Sequence, residues 1–190
     1  PLYVGERLAV LGLQMKRGCG VVFFHWSTFH PAKHHDEITE WAGGYFDYET
    51  GPGANKWYSR IQTKDWMTTI GAPGHPVARG VKPFKLKEEF YSRIRFREDD
   101  PRLTHVLLQE AGEVRANSVG WAVERADGGR GFGFTGGHFY ANWWNEDYRR
   151  LILNAIAWSA KLEVPPEGVA STLEPLVRTL ILTGHNHPAH

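Results

Sequence analysis

Most histidines of this chain cluster where predicted strands end. His25 follows the apolar run Val21, Val22, Phe23, Phe24 with no spacer, and His30, His34 and His35 come soon after. His138 follows a predicted strand at Gly131–Thr135, and His185, His187 and His190 follow another at Leu176–Thr183. Ligand clefts in open α/β sheets lie beyond the carboxyl ends of the strands, so parallel neighbours would bring these imidazoles to one crevice. Imidazole titrates near neutrality and suits general acid–base work there. Glu89 and Tyr91 are two apart on one predicted strand and share a face. A carboxylate beside a phenol can bind a sugar or serve as acid and orienter. The plainer alternative is a set of neutral histidines hydrogen-bonded in a polar cleft, with Glu88 and Glu89 on a solvated strand edge.

Other chemistries fit less well. A metal centre needs three or four ligands at ~2.0–2.2 Å. His185 and His187 are two apart and His34 and His35 are adjacent, neither of which is the four-residue helical spacing of a zincin. Asn186 and Asp36 could add oxygen ligands, so metal chemistry stays an alternative, but no metal ligands and no cofactor are assigned. Ser27 lies in His-Trp-Ser-Thr-Phe, without the G-x-S-x-G of a nucleophile elbow. The Gly-rich stretch 128–137 lacks the strand–GxGxxG–helix context of a dinucleotide site. Asn142, Trp143 and Trp144 read either as a carbohydrate-stacking wall or as buried aromatics capping the final helix. Cys19, the one cysteine, excludes an internal disulfide and reads as a small buried residue.

The bulk numbers bound the class. At 190 residues, 42% hydrophobic and 23% charged, the chain is long enough for one domain with a core. A net charge of +1 argues against nucleic-acid or anionic-membrane partners. Arg93, Arg95 and Arg97 are offset by Glu98, Asp99 and Asp100 and read as an exposed strand edge. No stretch approaches the ~20 apolar residues of a membrane span. No signal peptide stands at Pro1, but the first residue is not Met, so cytoplasmic and periplasmic locations both stay open. Eight Trp, seven Tyr, ten Phe and ten His make an aromatic-rich chain suited to cleft walls as well as cores.

The elements that must position the candidates read in order. Tyr3–Arg17 has a helical period stopped by Gly18, and Cys19–His25 is a strand covered on both faces. Pro31–Gly44 is a short helix closed by Gly43 and Gly44, and Tyr45–Tyr58 is an excursion. Ser59–Thr68, Lys87–Phe96 and His105–Gln109 are strands, the last central. Gly120–Arg125 and Gly131–Thr135 flank a tight hairpin turn at Asp127-Gly128-Gly129. Glu146–Leu162 is the clearest helix. Val164–Pro175 is a linker by composition, and the tail repeats the opening pattern of apolar strand and histidine-rich loop.

Several blocks in order resemble the ThuA-like (trehalose utilisation) family of the class I glutamine amidotransferase-like fold. They are GCGVVFFHWST, the helix ending in WAGGYF, GHPVARGVKPFKLKEEFY, GWAVER, the strand to GGHF, and LILNAIAWSA, together spanning Tyr3 to about Leu162. The resemblance implies an α/β, flavodoxin-like three-layer sandwich with a mostly parallel central sheet. It also implies carbohydrate catabolism, on a glycoside or keto-sugar, with a small-molecule carbohydrate as partner. His25 lies near the place of an amidotransferase's nucleophilic cysteine, and with no Cys there Cys–His glutaminase chemistry is not expected. The residues carried over are His25, Glu89, Tyr91, Trp121 and His138.

The resulting expectation makes His25, His138 and Glu89 catalytic. Trp26, Ser27, Tyr91, Trp121, Trp143, His185 and His187 bind substrate. A noncatalytic carbohydrate-binding or assembly domain and a metal-dependent hydrolase are the alternatives. Residues 1–163 are expected to form a ThuA-like domain lacking its usual N-terminal strands, 164–175 a linker, and 176–190 a strand and loop resembling such a domain's start. A tandem fragment, a rearranged domain and a homo-oligomer all remain compatible with this pattern.

Overall fold

The structure, a computed structural model, describes residues 5–47 and 59–173. Helix α1 (Glu6–Lys16) buries Leu8 and Met15, and β1 (Val21–Phe24) follows it. Helix α2 (His35–Ala42) stops where Gly43 takes a left-handed conformation, φ 80°, as the sequence predicts for that glycine pair. Two-residue β2 (Gly44–Tyr45) comes next, then β3 (Arg60–Met67) and β4 (Thr69–Ile70). The predicted strand over 87–96 is divided. β5 (Lys85–Ser92) ends before Arg93, whose φ of 54° turns the chain, and β6 (Arg95–Phe96) follows. β7 (Leu103–Leu108), the short α3 (Val114–Asn117), β8 (Ser118–Glu124), β9 (Arg130–Phe134) and α4 (Glu146–Ser159) complete the order.

The main sheet runs β1-β9-β8-β7-β4, with separate two-stranded pairings β2-β6 and β3-β5. The α/β class holds, with helices on both sides of the sheet. The sheet itself corrects the mostly parallel expectation. Among the described strands β1 and β9 run parallel, and the other pairings are antiparallel. The physical reason lies partly in the Asp127-Gly128-Gly129 turn. So short a connection can join β8 to β9 only as a hairpin, because a parallel return needs a crossover of a dozen residues or more. Arg125 and Gly129 close that turn by a 2.8 Å backbone hydrogen bond. The strand at the centre is therefore β8, not β7.

The apolar run of β1 is explained by its two covered faces. Val21 and Phe23 pack with α1 and α2 residues Leu8, Met15, Ile38 and Ala42. Val22 and Phe24 pack on the other side, where Tyr148, Leu151, Ile152, Ala155 and Trp158 of α4 meet Phe132, Phe134 and Phe90. Close approach on the first side requires a glycine at 131. A Cβ there would lie 2.0 Å from the Trp41 carbonyl oxygen of α2.

Residues 164–173 carry no helix or strand but lie against α4. Val164 is buried, and the Val169 N–H donates to Asn154 Oδ1 at 2.8 Å. The basic stretch is ion-paired, Arg95 with Asp47 at 2.9 Å and Arg97 with Glu40 at 2.8 Å. Among the described residues no helix is long and apolar enough to cross a membrane. Most of the 45–58 excursion and the tail strand and loop at 176–190 lie outside the described residues.

Candidate functional site

The parallel pair β1-β9 ends at His25 and Thr135, and the site is built there. His25 sits at φ 51°, a left-handed conformation uncommon for a residue with a side chain. A 3-10 turn over His25–Thr28 fixes it. Ser27 Oγ accepts from the Phe24 N–H at 2.6 Å and donates to the Phe24 carbonyl at 2.8 Å. Thr28 Oγ1 donates to the His25 carbonyl at 2.7 Å. The Ser27 hydroxyl, expected to bind substrate, thus holds the turn through both of these bonds.

The His25 ring is oriented from both nitrogens. Nδ1 lies 3.0 Å from the Thr135 carbonyl oxygen, which can only accept, so Nδ1 carries the proton. Nε2 is then free to accept from the Tyr91 hydroxyl at 3.1 Å. The two rings stack at 4.9 Å and 26°. Tyr91 is only 2% exposed, which corrects its expected role as a substrate wall: it backs His25. Burial, reinforced by Glu89, raises the phenol's pKa and keeps it a donor.

Strand parity places Glu89 beside Tyr91 on β5. Its Oε1 lies 3.4 Å from His138 Nδ1 and 3.9 Å from His25 Nε2. Thr63, opposite on β3, donates from Oγ1 to Glu89 Oε2 at 3.4 Å. The imidazoles of His25 and His138 meet edge-on at 5.4 Å. His25 and Glu89 side chains are each 19% exposed and His138 44%, so the cluster is open to solvent from the His138 side.

His138 is held in place by a residue that the sequence reading left on a solvated edge. Glu88 is fully buried, on the inward parity of Leu86 and Phe90. Its carboxylate accepts from the backbone N–H of Glu89 (2.8 Å), Gly137 (3.1 Å) and His138 (3.1 Å), and from Asn142 Nδ2 (2.8 Å). Period two along Leu86–Glu88–Phe90 was the available signal. Gly137 must be glycine for the loop to pass: φ is 124°, and a Cβ would lie 2.1 Å from the Phe24 ring.

The remaining candidates separate. Trp26 is half-exposed and meets Tyr91 edge-on at 6.0 Å, at the border of the cluster. Trp121 is fully buried and donates Nε1–H to the Ala42 carbonyl at 2.7 Å, so the substrate-wall expectation for it is corrected. Trp143 stacks on Phe24 at 5.8 Å and meets Tyr148 at 5.5 Å, partly buried against the core beside α4. His30 is buried edge-on to Phe23. Burial pushes its pKa down to about 4 against an opposing hydrogen bond with the Ser27 backbone, making it a neutral core imidazole. His35 stacks on Tyr45 and places Nε2 2.9 Å from the His30 carbonyl, away from the cluster. His185 and His187 lie outside the described residues.

A family model described as ThuA, trehalose utilisation, matches residues 7–159. The chain belongs to the ThuA family. Two solved structures of proteins described as ThuA-like share the ThuA-family fold seen here. One, from Bacteroides uniformis, superposes with a TM-score of 0.62 at 14% identity, over 85% of this chain and 66% of that one. The other, from Parabacteroides merdae, gives 0.60 at 17% identity, over 84% and 67%. This chain thus spans about two thirds of the length of these neighbours. No curated protein matches it.

Proposed function

We propose that this ThuA-family chain acts on a glycoside or keto-sugar by acid–base chemistry shared between His25, Glu89 and His138. The supporting observation is one carboxylate oxygen within 3.4 and 3.9 Å of two imidazole nitrogens at a solvent-open strand end. His25 Nε2, with its other nitrogen committed to Thr135, is a base with a fixed tautomer. His138, the most exposed of the three, is the group a substrate reaches first. A proton on the carbon between a sugar ketone and the glycosidic carbon is acidified by that ketone. If one imidazole removes it, the electron pair forms a carbon–carbon double bond and the glycosidic C–O bond breaks. The other imidazole or Glu89 then delivers a proton to the departing alkoxide, which balances the step.

A second reading, sugar binding without turnover, is favoured by Tyr140 and Trp144, which are 86% and 60% exposed just after His138. Aromatic faces of this kind suit stacking on sugar rings. Incubating the protein with trehalose, other disaccharides and their keto derivatives, with products resolved by mass, separates the two. The acid–base reading expects product from wild type and its loss in His25→Ala. Binding with no product supports the second reading. Product formed equally by both proteins overturns the role of His25.

A further inference from the structure

We infer that His25, Glu89 and His138 form a binding site for one divalent transition-metal ion of the zinc type. Among the described residues these three ligand-type side chains place their atoms within 4.8 Å of one another. Two of the separations are 3.4 and 3.9 Å. Ligands bound at ~2.0–2.2 Å around a shared ion lie roughly 3–3.6 Å apart, so these two carboxylate–imidazole separations need to change by less than about 1 Å. The least enclosed member, His138, is the one that can supply them by turning its ring.

The surroundings of the three groups support this more than their proximity does. A ligating histidine normally donates its second ring N–H to a carbonyl or carboxylate, which fixes the tautomer and aims the lone pair. His25 has that arrangement, with Nδ1 on the Thr135 carbonyl and Nε2 aimed at the cluster. The Tyr91 hydroxyl, on the same Nε2, also interacts with the Glu89 carboxylate and can remain satisfied there when Nε2 ligates. Thr63 holds the outer oxygen of Glu89, leaving Oε1 toward the imidazoles. Buried Glu88 fixes the peptide that carries His138. Each ligand is therefore oriented by a partner of its own.

The donor set selects the ion. Two imidazoles and one carboxylate suit Zn²⁺ and its first-row neighbours better than Mg²⁺ or Ca²⁺, which prefer oxygen alone. Three protein ligands leave at least one position for water or a substrate oxygen, the pattern of a catalytic rather than a structural zinc site. The site is partly open, so a sugar hydroxyl or ketone oxygen can reach that position, where the ion would polarise it. This inference rests on the proposed sugar reading of the same cluster and changes its roles: with an ion bound, the lone pairs of His25, Glu89 and His138 are ligands and proton transfer passes to a water in the open position, while ion binding is measured separately.

The test strips the full chain with chelator and titrates it with Zn²⁺ by equilibrium dialysis, alongside Glu89→Gln and His138→Ala. Thermal melts confirm that each variant is folded. Wild type is expected to hold a zinc equivalent that binds roughly 100-fold more weakly in both variants, as expected for loss of a ligand. X-ray absorption at the zinc edge is expected to show two imidazoles and an oxygen. No uptake by folded wild type, or uptake unchanged in both variants because other histidines hold the ion, overturns the site. Full sugar turnover by stripped protein also overturns a catalytic ion while leaving the acid–base reading intact. Zinc bound at these ligands with no product from any sugar does the reverse.

Discussion

Glu89→Gln is expected to lower sugar turnover by about 10²- to 10⁴-fold, the usual range for losing a positioned acid–base group. The substitution keeps shape and can still accept from Thr63 Oγ1, so the fold has little reason to change. What it removes is the charge beside His25 and His138, 3.9 and 3.4 Å from their ring nitrogens. The loss is expected in kcat more than in KM, because the carboxylate acts on proton position rather than on holding the sugar. Steady-state kinetics beside a melting curve check this. A variant with normal kcat and weakened KM would make Glu89 a hydroxyl ligand instead.

Glu88→Ala is expected to cost about 3 kcal/mol or more of stability, because several donors lose their acceptor at about 1–3 kcal/mol each. Its carboxylate is fully buried and receives four donors. Alanine leaves the N–H groups of Glu89, Gly137 and His138 and the Asn142 amide without the acceptor they share. Glu88→Gln is the gentler variant. It retains one acceptor oxygen but turns an amide NH₂ toward donors, for an expected cost of about 1–3 kcal/mol. Because the pinned peptide carries His138, Gln at 88 is also expected to lower kcat, although Glu88 touches no substrate. Denaturant unfolding gives the stability, and hydrogen exchange at Gly137 and His138 reports the loop. Unchanged exchange at those two amides with an unchanged kcat would remove Glu88 as a positioning residue.

Much of this arrangement was legible from residue order. The run Val21–Phe24 implied a strand covered on both faces, and α1 with α2 on one side and α4 on the other supply the cover. His25, Glu89 and His138 could each be named because each stands at a predicted strand end or on a strand face. The convergence of His25 and His138 is expected from the sequence only if their strands are parallel neighbours, a condition that β1 pairing with β9 meets, whereas the approach of Glu89 depends on β5 crossing near Thr135, which no local pattern shows. The Tyr91 N–H donates to Thr135 Oγ1 at 3.2 Å, which is the stitch that joins them. The sheet direction is where a local signal and a general one conflict in the sequence. The hairpin at Asp127-Gly128-Gly129 argued for antiparallel β8 and β9, and the fold-level expectation of a parallel sheet outweighed it.

The indoles show the opposite limit. Trp26, Trp121 and Trp143 look alike in a sequence, but burial divides them. Trp121 is sealed by the last turn of α2 at Ala42, Trp143 is partly buried against Phe24 and Tyr148, and Trp26 is half-exposed. Only packing between distant segments decides such cases. Glu88 was hidden for a different reason. A glutamate next to another glutamate reads as solvated, and three of the four donors that make its burial tolerable come from residues 137–142, about fifty positions away.

The central claim is that the imidazoles of His25 and His138 face a sugar across Glu89. Nitrogen-15 spectra of histidine-labelled protein, recorded while a turned-over or bound sugar is titrated in, test it most directly. The ring resonances of His25 and His138 should move together and saturably, while buried His30 and His35 stay in place. Saturable sugar binding that leaves both His25 and His138 unmoved would contradict the account.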